Sequence, residues 1–299
     1  MKKIKILLFA ISVLTTSTLL AQNNKSELKK TRKNADVSQS YNFDLTYLQK
    51  TGEDDFDLDA FQIGTGKNFL LIIAVDKYRY WKSLQNPIKD AQDIKKMLQA
   101  KYTFEPKNTY ELYNEQVTPQ NLHEIFEKIK EKGSNIDNLM IYYSGHGYYD
   151  PSFDEGYWIP FNGKNGAVAS YIPNTSIRNY IKSMKFRHVF LVADACFSGA
   201  LFADSHRGGY VDKMEQIQSR WGLSSGNLEY VSDGKEGENS PFAHYVLKFL
   251  KENLKDKFAV SEMIQYVKTA VADNTEQTPV GNPLRGVGNE GGEFVFRTR

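Results

Sequence analysis

The sequence predicts an α/β fold with a mainly parallel central sheet and helices on both faces. Three apolar runs of strand length predict it: residues 68–75 (Asn-Phe-Leu-Leu-Ile-Ile-Ala-Val), 138–143 (Asn-Leu-Met-Ile-Tyr-Tyr) and 188–193 (His-Val-Phe-Leu-Val-Ala). Continuous runs of this kind mark strands covered on both faces, as in parallel sheets. Segments of helical periodicity separate them, and such alternation requires crossover helices on the faces of the sheet. With 299 residues, 40% hydrophobic and 25% charged, the chain has material for a substantial core.

Taken in order, residues 68–75 form the first central strand. Asn86-Pro87 then opens a helix whose apolar positions Ile88, Ala91, Ile94, Met97 and Leu98 recur at helical spacing. Residues 109–113 predict a short strand. Thr118-Pro119 begins a second helix, with Leu122, Ile125, Phe126 and Ile129 on one face and Gly133 past its end. After the strand at 138–143, Ile177, Tyr180, Ile181 and Met184 mark a helix that leads to the strand at 188–193. A loop-rich stretch is expected at 201–238, helices at 241–253 and 261–273, and a last strand near 294–296. There is no internal repeat.

The N-terminus has a different character. A basic start (Met1-Lys2-Lys3-Ile4-Lys5), an apolar stretch at 6–14 and small residues leading to Ala21 form the layout of a secretory signal peptide, residues 1–21. Thr15 to Thr18 interrupt the apolar stretch well short of the roughly 20 residues of a membrane span. A periplasmic or extracellular protein, free of the membrane after cleavage, is therefore expected. Residues 22–66 form a polar extension whose charge changes sign, from Lys25, Lys29, Lys30, Arg32 and Lys33 to Glu53, Asp54, Asp55, Asp57 and Asp59. This segment reads as a solvated leader or pro-segment. Losing Lys2, Lys3 and Lys5 takes the formal charge from +2 to −1, which leaves no basic field for nucleic acid. No pattern in the chain specifies an oligomeric state.

Cys196 is the single cysteine. An exported protein that used cysteine structurally would carry pairs, so this thiol is either a small buried hydrophobe or a reactive group. Its setting favours the second. In open α/β sheets ligands bind beyond the carboxyl ends of the strands. One strand runs into Ser144-Gly145-His146-Gly147 and another into Asp194-Ala195-Cys196-Phe197-Ser198-Gly199, so the topology places His146 and Cys196 at one edge although 50 residues separate them. An imidazole beside a thiol takes its proton, stabilises the thiolate and can later protonate a leaving amine. Backbone N–H groups at Gly147 and Cys196 are placed to receive an oxyanion. Glycine on both sides of His146 admits close approach to the backbone.

These two motifs together, Tyr-Ser-Gly-His-Gly and Asp-Ala-Cys-Phe-Ser-Gly, resemble the catalytic motifs of caspase-like cysteine peptidases, nearest to metacaspases and bacterial caspase homologues. The caspase pattern Gln-Ala-Cys-(Arg, Gln or Gly)-Gly is not matched, although the histidine-to-cysteine spacing agrees. The resemblance covers about 67–297 and implies a caspase-like three-layer sandwich. The catalytic domain would then span 67–299, with a large-subunit-like part at 67–205 and a small-subunit-like part at 206–299.

The resemblance further implies that Asp194, with Ser144 and Asp90, lines a pocket for arginine or lysine, and that Ser224, Ser225 and Gly226 line the cleft as backbone partners of an extended peptide. For Asp194 a helix N-cap, and for Asp90 a solvated first-turn carboxylate, are the structural alternatives. The expected partners are peptides or proteins with Arg or Lys at the cleavage site. As in zymogens of this family, self-cleavage is expected in the inter-subunit loop at Arg207, Lys213 or Arg220, or in the basic run at 25–33.

No zinc motif accompanies His123-Glu124, and Gly64-Thr65-Gly66-Lys67 lacks the spacing of a phosphate loop. Asp150, Asp154, Glu155 and Asp204 offer oxygen atoms for calcium, on which many metacaspases depend, but their spacing does not clearly match the family's calcium site; no cofactor or metal is expected, and calcium dependence stays open as the alternative. Two rival readings keep the fold. One is a related cysteine peptidase with another specificity pocket, in which Asp90 and Asp194 lose their assigned role. The other is a non-catalytic peptide-binding module.

Overall fold

A computed structural model describes residues 66–196, 201–202, 214–226, 234–235 and 237–299, with the backbone alone of Cys196. The signal peptide, nearly all of the polar extension, Asp204, Arg207 and Lys213 lie outside the described residues.

The apolar run at 68–75 forms β1 (Asn68–Ala74), buried along its whole length. It is followed by α1 (Pro87–Lys101), β2 (Phe104–Tyr113), α2 (Pro119–Lys132) and β3 (Asn138–Ser144). A small antiparallel sheet comes next: β4 (Gly147–Asp150), β5 (Glu155–Trp158) and β6 (Ile172–Pro173). Then follow α3 (Asn174–Ser183), β7 (His188–Cys196), β8 (Ser219–Gly226), α4 (Pro241–Glu252), β9 (Lys257–Ala259), α5 (Val260–Asn274), β10 (Val280–Pro283) and β11 (Val295–Arg297).

The main sheet has six strands in the order β2-β1-β3-β7-β8-β10. All neighbours are parallel except β10, which runs antiparallel to β8. Alternate residues of the central strands feed two cores. Leu71, Ile73, Ile141 and Leu191 pack with Leu122, Phe126, Ile177 and Ile181 of α2 and α3. Leu70, Ile72, Met140, Phe190 and Val192 pack with Ile94, Val246 and Val267 of α1, α4 and α5. This is the expected three-layer sandwich.

Local signals set the helix ends. Pro87 stands in the first turn of α1 after Asn86. The Thr118 hydroxyl accepts the Asn121 N–H at 3.2 Å to cap α2, and Gly133 closes that helix where a β-carbon would come within 2.1 Å of the Phe186 ring. In the second core Phe190 is fully buried and packs 6.1 Å from Phe294 and 6.2 Å from Phe296, centroid to centroid. Phe190→Ala is expected to cost about 3–5 kcal/mol in urea unfolding, since the rings of β7 and the C-terminal segment cannot close the cavity.

Two expectations need correction. The stretch 201–238 is not loop throughout, because β8 lies inside it, completely buried. Ser219-Arg220-Trp221-Gly222-Leu223-Ser224-Ser225-Gly226 carries too few apolar residues to announce a central strand, and several of its polar members find tertiary partners, Ser219 on His188 at 2.8 Å among them. Arg220 is the second correction. It is 1% exposed, and its guanidinium donates to the carbonyls of Met184, Phe186, Arg187 and Ser219 at 2.8–3.4 Å. Burial lowers its pKa to about 10. A residue paired into the centre of a sheet is not a cleavable loop position in the folded chain.

Candidate active site

Strand register brings the two motifs together. Asn138 to Ser144 of β3 pair in step with His188 to Asp194 of β7, so Ser144 lies level with Asp194, and the Gly145 N–H donates to the Asp194 carbonyl at 3.3 Å. His146, just past the end of β3, and Cys196, the last residue of β7, each follow two residues later. At the end of β7 the register against β8 shifts between Ala193 and Cys196, and Cys196 pairs with Gly226. Such an irregularity re-aims the strand end.

His146 is held from several directions. Its N–H donates to the Tyr78 hydroxyl at 2.7 Å, and its carbonyl accepts both the Tyr143 hydroxyl at 2.7 Å and the Ile159 N–H at 3.1 Å. Tyr143 in turn stacks on Trp158 with centroids 4.1 Å apart. The imidazole Nε2 lies 2.8 Å from the Lys82 carbonyl. A carbonyl only accepts, so Nε2 carries the proton and the neutral ring keeps its lone pair on Nδ1. The loop that supplies Tyr78, Trp81 and Lys82 is itself pinned, by Leu84 N–H to the Asp76 carbonyl and Arg79 N–H to the Phe161 carbonyl.

The two glycines beside His146 have different reasons. A β-carbon on Gly145 would sit 2.6 Å from the Tyr78 hydroxyl and 3.1 Å from that of Tyr143, the two groups that tie the His146 backbone. Gly145→Ala is therefore expected to lower kcat about a hundredfold while the cooperative unfolding transition is retained, because it displaces the ring by a fraction of an ångström or more. Gly147 pairs with Trp158. Since Ile159 N–H bonds the His146 carbonyl, Gly147 and Trp158 form a non-hydrogen-bonded pair, and the Gly147 N–H is not used in that ladder.

On the other side of the edge, paired residues share a face of the sheet, so Ser144 and Asp194 project toward the layer of α1 and α4. Asp90, in the first turn of α1, meets them there and is fully buried, so it is not a solvated helix-turn carboxylate. Its carboxylate accepts the Asn239 side-chain amide at 2.8 Å and the Ser240 N–H at 3.2 Å. Asp194 is part of β7 and accepts the Ser240 hydroxyl at 2.6 Å; the residues after Cys196 that a cap there would serve lie outside the described residues. That hydroxyl also accepts the Ala243 N–H at 3.1 Å, capping α4. Burial, and then the nearby Asp194 charge, push the Asp90 carboxyl up to about 7. Beneath them Tyr142 is wholly buried, and burial with both carboxylates drives its phenol well above its ordinary pKa. Asn239 and Ser240 were not nominated as site residues from the sequence, which marked this segment as the start of the helix expected at 241–253.

Ser224 lies within the sheet, between Ala193 of β7 and Val280 of β10, with its hydroxyl near the Ala195 and Gly226 carbonyls. Pairing with β10 ends at Ser224, so Ser225 and Gly226 extend beyond that strand along the edge that carries Cys196. Ser224 and Ser225 are both fully buried, so the side chains of neither are open to a peptide in this structure, and only the end of β8 at Gly226 lies beside Cys196.

A match to the Caspase domain family extends over residues 67–284. The chain belongs to the caspase family of cysteine peptidases. The caspase domain also matches the crystal structure of protein GSU0716 from Geobacter sulfurreducens, with a TM-score of 0.52 and 16% identity over 73% of this chain and 93% of that one, a likeness of fold. No curated protein gives a significant match. Membership of this family makes proteins the substrate class.

Among the described residues, no helix is long and apolar enough to cross a membrane, and no group of three or more His, Cys, Asp or Glu side chains is placed to hold a metal ion. In the turn joining β4 to β5, Asp154 accepts the Tyr149 hydroxyl at 2.7 Å, Asp150 accepts the Ser152 N–H at 2.9 Å, and Glu155 is bonded to Thr175.

Proposed function

We propose that this chain is an exported endopeptidase that cuts after arginine or lysine, with Cys196 as nucleophile and His146 as its base. The observation that supports this most is the register of β3 and β7, which sets the two motifs level at the carboxyl edge, with two acidic side chains converging beside them.

In this reading the Nδ1 lone pair of His146 takes the Cys196 proton, and the thiolate attacks the scissile carbonyl carbon. The negative charge that develops on the carbonyl oxygen is received by the N–H groups of Gly147 and Cys196. His146, held by the Lys82 carbonyl, returns the proton to the leaving amine. Water, deprotonated by the same nitrogen, then releases the acyl group from sulfur. The guanidinium or ammonium of the residue before the scissile bond pairs with Asp194 and Asp90, with Ser144 beside them. An acidic side chain there would be repelled.

Residues 1–21 direct export and are removed, and no cofactor is required. Self-processing falls at Arg207, Lys213 or the basic run at 25–33. The test is hydrolysis of matched fluorogenic peptides ending in arginine, lysine or aspartate, by wild type and Cys196→Ala, with and without calcium. Turnover of the basic peptides alone, absent from the variant and indifferent to calcium, is the expected result. Folded protein that binds these peptides without cutting any of them would make it a binding module; a preference for aspartate would make it a peptidase with another pocket. Mass spectrometry of the mature and processed termini tests export and self-cleavage.

A further inference from the structure

Aromatic side chains extend outward from His146. Trp81 lies 5.3 Å from the imidazole, and Tyr171 meets Trp81 edge-on at 5.8 Å. Tyr148 and Tyr157 then pack on Tyr171 at 5.7 and 6.1 Å. Tyr148 and Tyr157 are paired across β4 and β5, so they present one face of the small sheet. Tyr171 is buried and forms the backing, while Trp81, Tyr148 and Tyr157 are half-buried and keep part of their rings open to solvent. Half-open aromatic surface that is continuous with a reactive centre is characteristic of a recognition surface.

Chemistry decides which part of a substrate reaches it. If His146 protonates the leaving amine, the residue that follows the scissile bond departs across the imidazole, away from the carboxylates of Asp90 and Asp194. Trp81 is the next surface on that path. Among the described residues no cation is stacked on these three rings, so their faces are left for an apolar or aromatic side chain.

Resting on the assignment of Cys196 and His146 as the catalytic pair, we propose that Trp81, Tyr148 and Tyr157 form a subsite for a large apolar or aromatic side chain immediately after the scissile bond. The enzyme would then read both sides of the bond it cuts, with a basic residue before it and an apolar residue after it.

Internally quenched peptides that differ only in the residue after arginine, glycine or phenylalanine, test this with wild type, Trp81→Ala and Tyr148→Ala. The phenylalanine peptide is expected to show about tenfold higher kcat/KM than the glycine peptide, and the ratio should fall to within about twofold in both variants. The ratio is the readout because Trp81 also packs on His146, and a uniform loss of rate cancels. Fluorescence anisotropy of the same two peptides on Cys196→Ala and on its combinations with each aromatic substitution measures the preference without turnover. Failure of every peptide to be cut, with the phenylalanine preference still present in binding, would sink the catalytic assignment and keep the subsite. Equal glycine and phenylalanine values in both assays, or a preference that survives both aromatic substitutions, would overturn the subsite.

Discussion

His146→Ala is expected to lower kcat/KM on arginine peptides about a thousandfold, with the folded structure retained. The tolerance follows from how the residue is fixed: its N–H and carbonyl are bonded to Tyr78, Tyr143 and Ile159, and those bonds survive loss of the ring. The activity loss follows from the ring itself. With Nε2–H donated to the Lys82 carbonyl, Nδ1 is the nitrogen of this ring that can take a proton from a thiol. Alkylation of Cys196 by iodoacetamide gives a second readout. Without an imidazole to take its proton, the thiol should react at neutral pH like an ordinary cysteine, more slowly than in the wild type. A variant that kept cutting within tenfold of the wild-type rate would exclude His146 as the base.

The second large effect concerns the acidic pocket. Asp194→Asn should raise KM for arginine peptides about a hundredfold, because a substrate cation would be desolvated against a neutral amide. Asp90 adds a pH dependence. Its carboxyl titrates near 7, so its charge appears as pH rises through 7, and KM for arginine peptides is expected to fall between pH 6 and 8. Asp90→Asn should flatten that fall and leave KM at its acidic-side value.

Stability runs the other way. The folded-state pKa lies above the ordinary value of 3.8, so in the intervening range the native protein holds a proton that the unfolded chain releases. The resulting stabilisation is complete below the ordinary carboxylate range and is lost as pH rises through about 7. Thermal denaturation at pH 5 and pH 8 should therefore show Asp90→Asn gaining on the wild type at the higher pH while its arginine selectivity falls. A wild-type Tm that rose from pH 5 to pH 8 relative to the variant would contradict the assignment of a raised pKa.

Burial of β1, β3 and β7 was legible because fully covered strands read as continuous apolar runs, and β8 was not legible because Ser219 and Arg220 are bonded to distant groups that no local pattern records. The short strand expected at 109–113 is in fact the end of β2, which begins at Phe104; its first half is polar because residues 105–108 fall in an irregularity where the register with β1 passes from Asn68–Phe104 to Leu70–Thr109, and Glu105, Pro106 and Lys107 are exposed.

The same division holds at the site. His146 and Cys196 could be nominated from the chain because they follow apolar strands, and a parallel sheet sends all such strand ends to one edge; Ser144, Asp90 and Asp194 were nominated by the resemblance of the motifs alone. Sequence by itself determined that alternation, the motifs and the edge at which they meet. Only tertiary structure decided what holds them: the Lys82 carbonyl on His146 from 64 residues away, Ser240 on Asp194 from 46 and on Asp90 from 150, and Arg220 locked among carbonyls instead of exposed in a loop. The reason is physical. Periodicity encodes which face a residue turns to the core, whereas the partner of a buried polar group is set by which distant backbone the packed layers deliver to it.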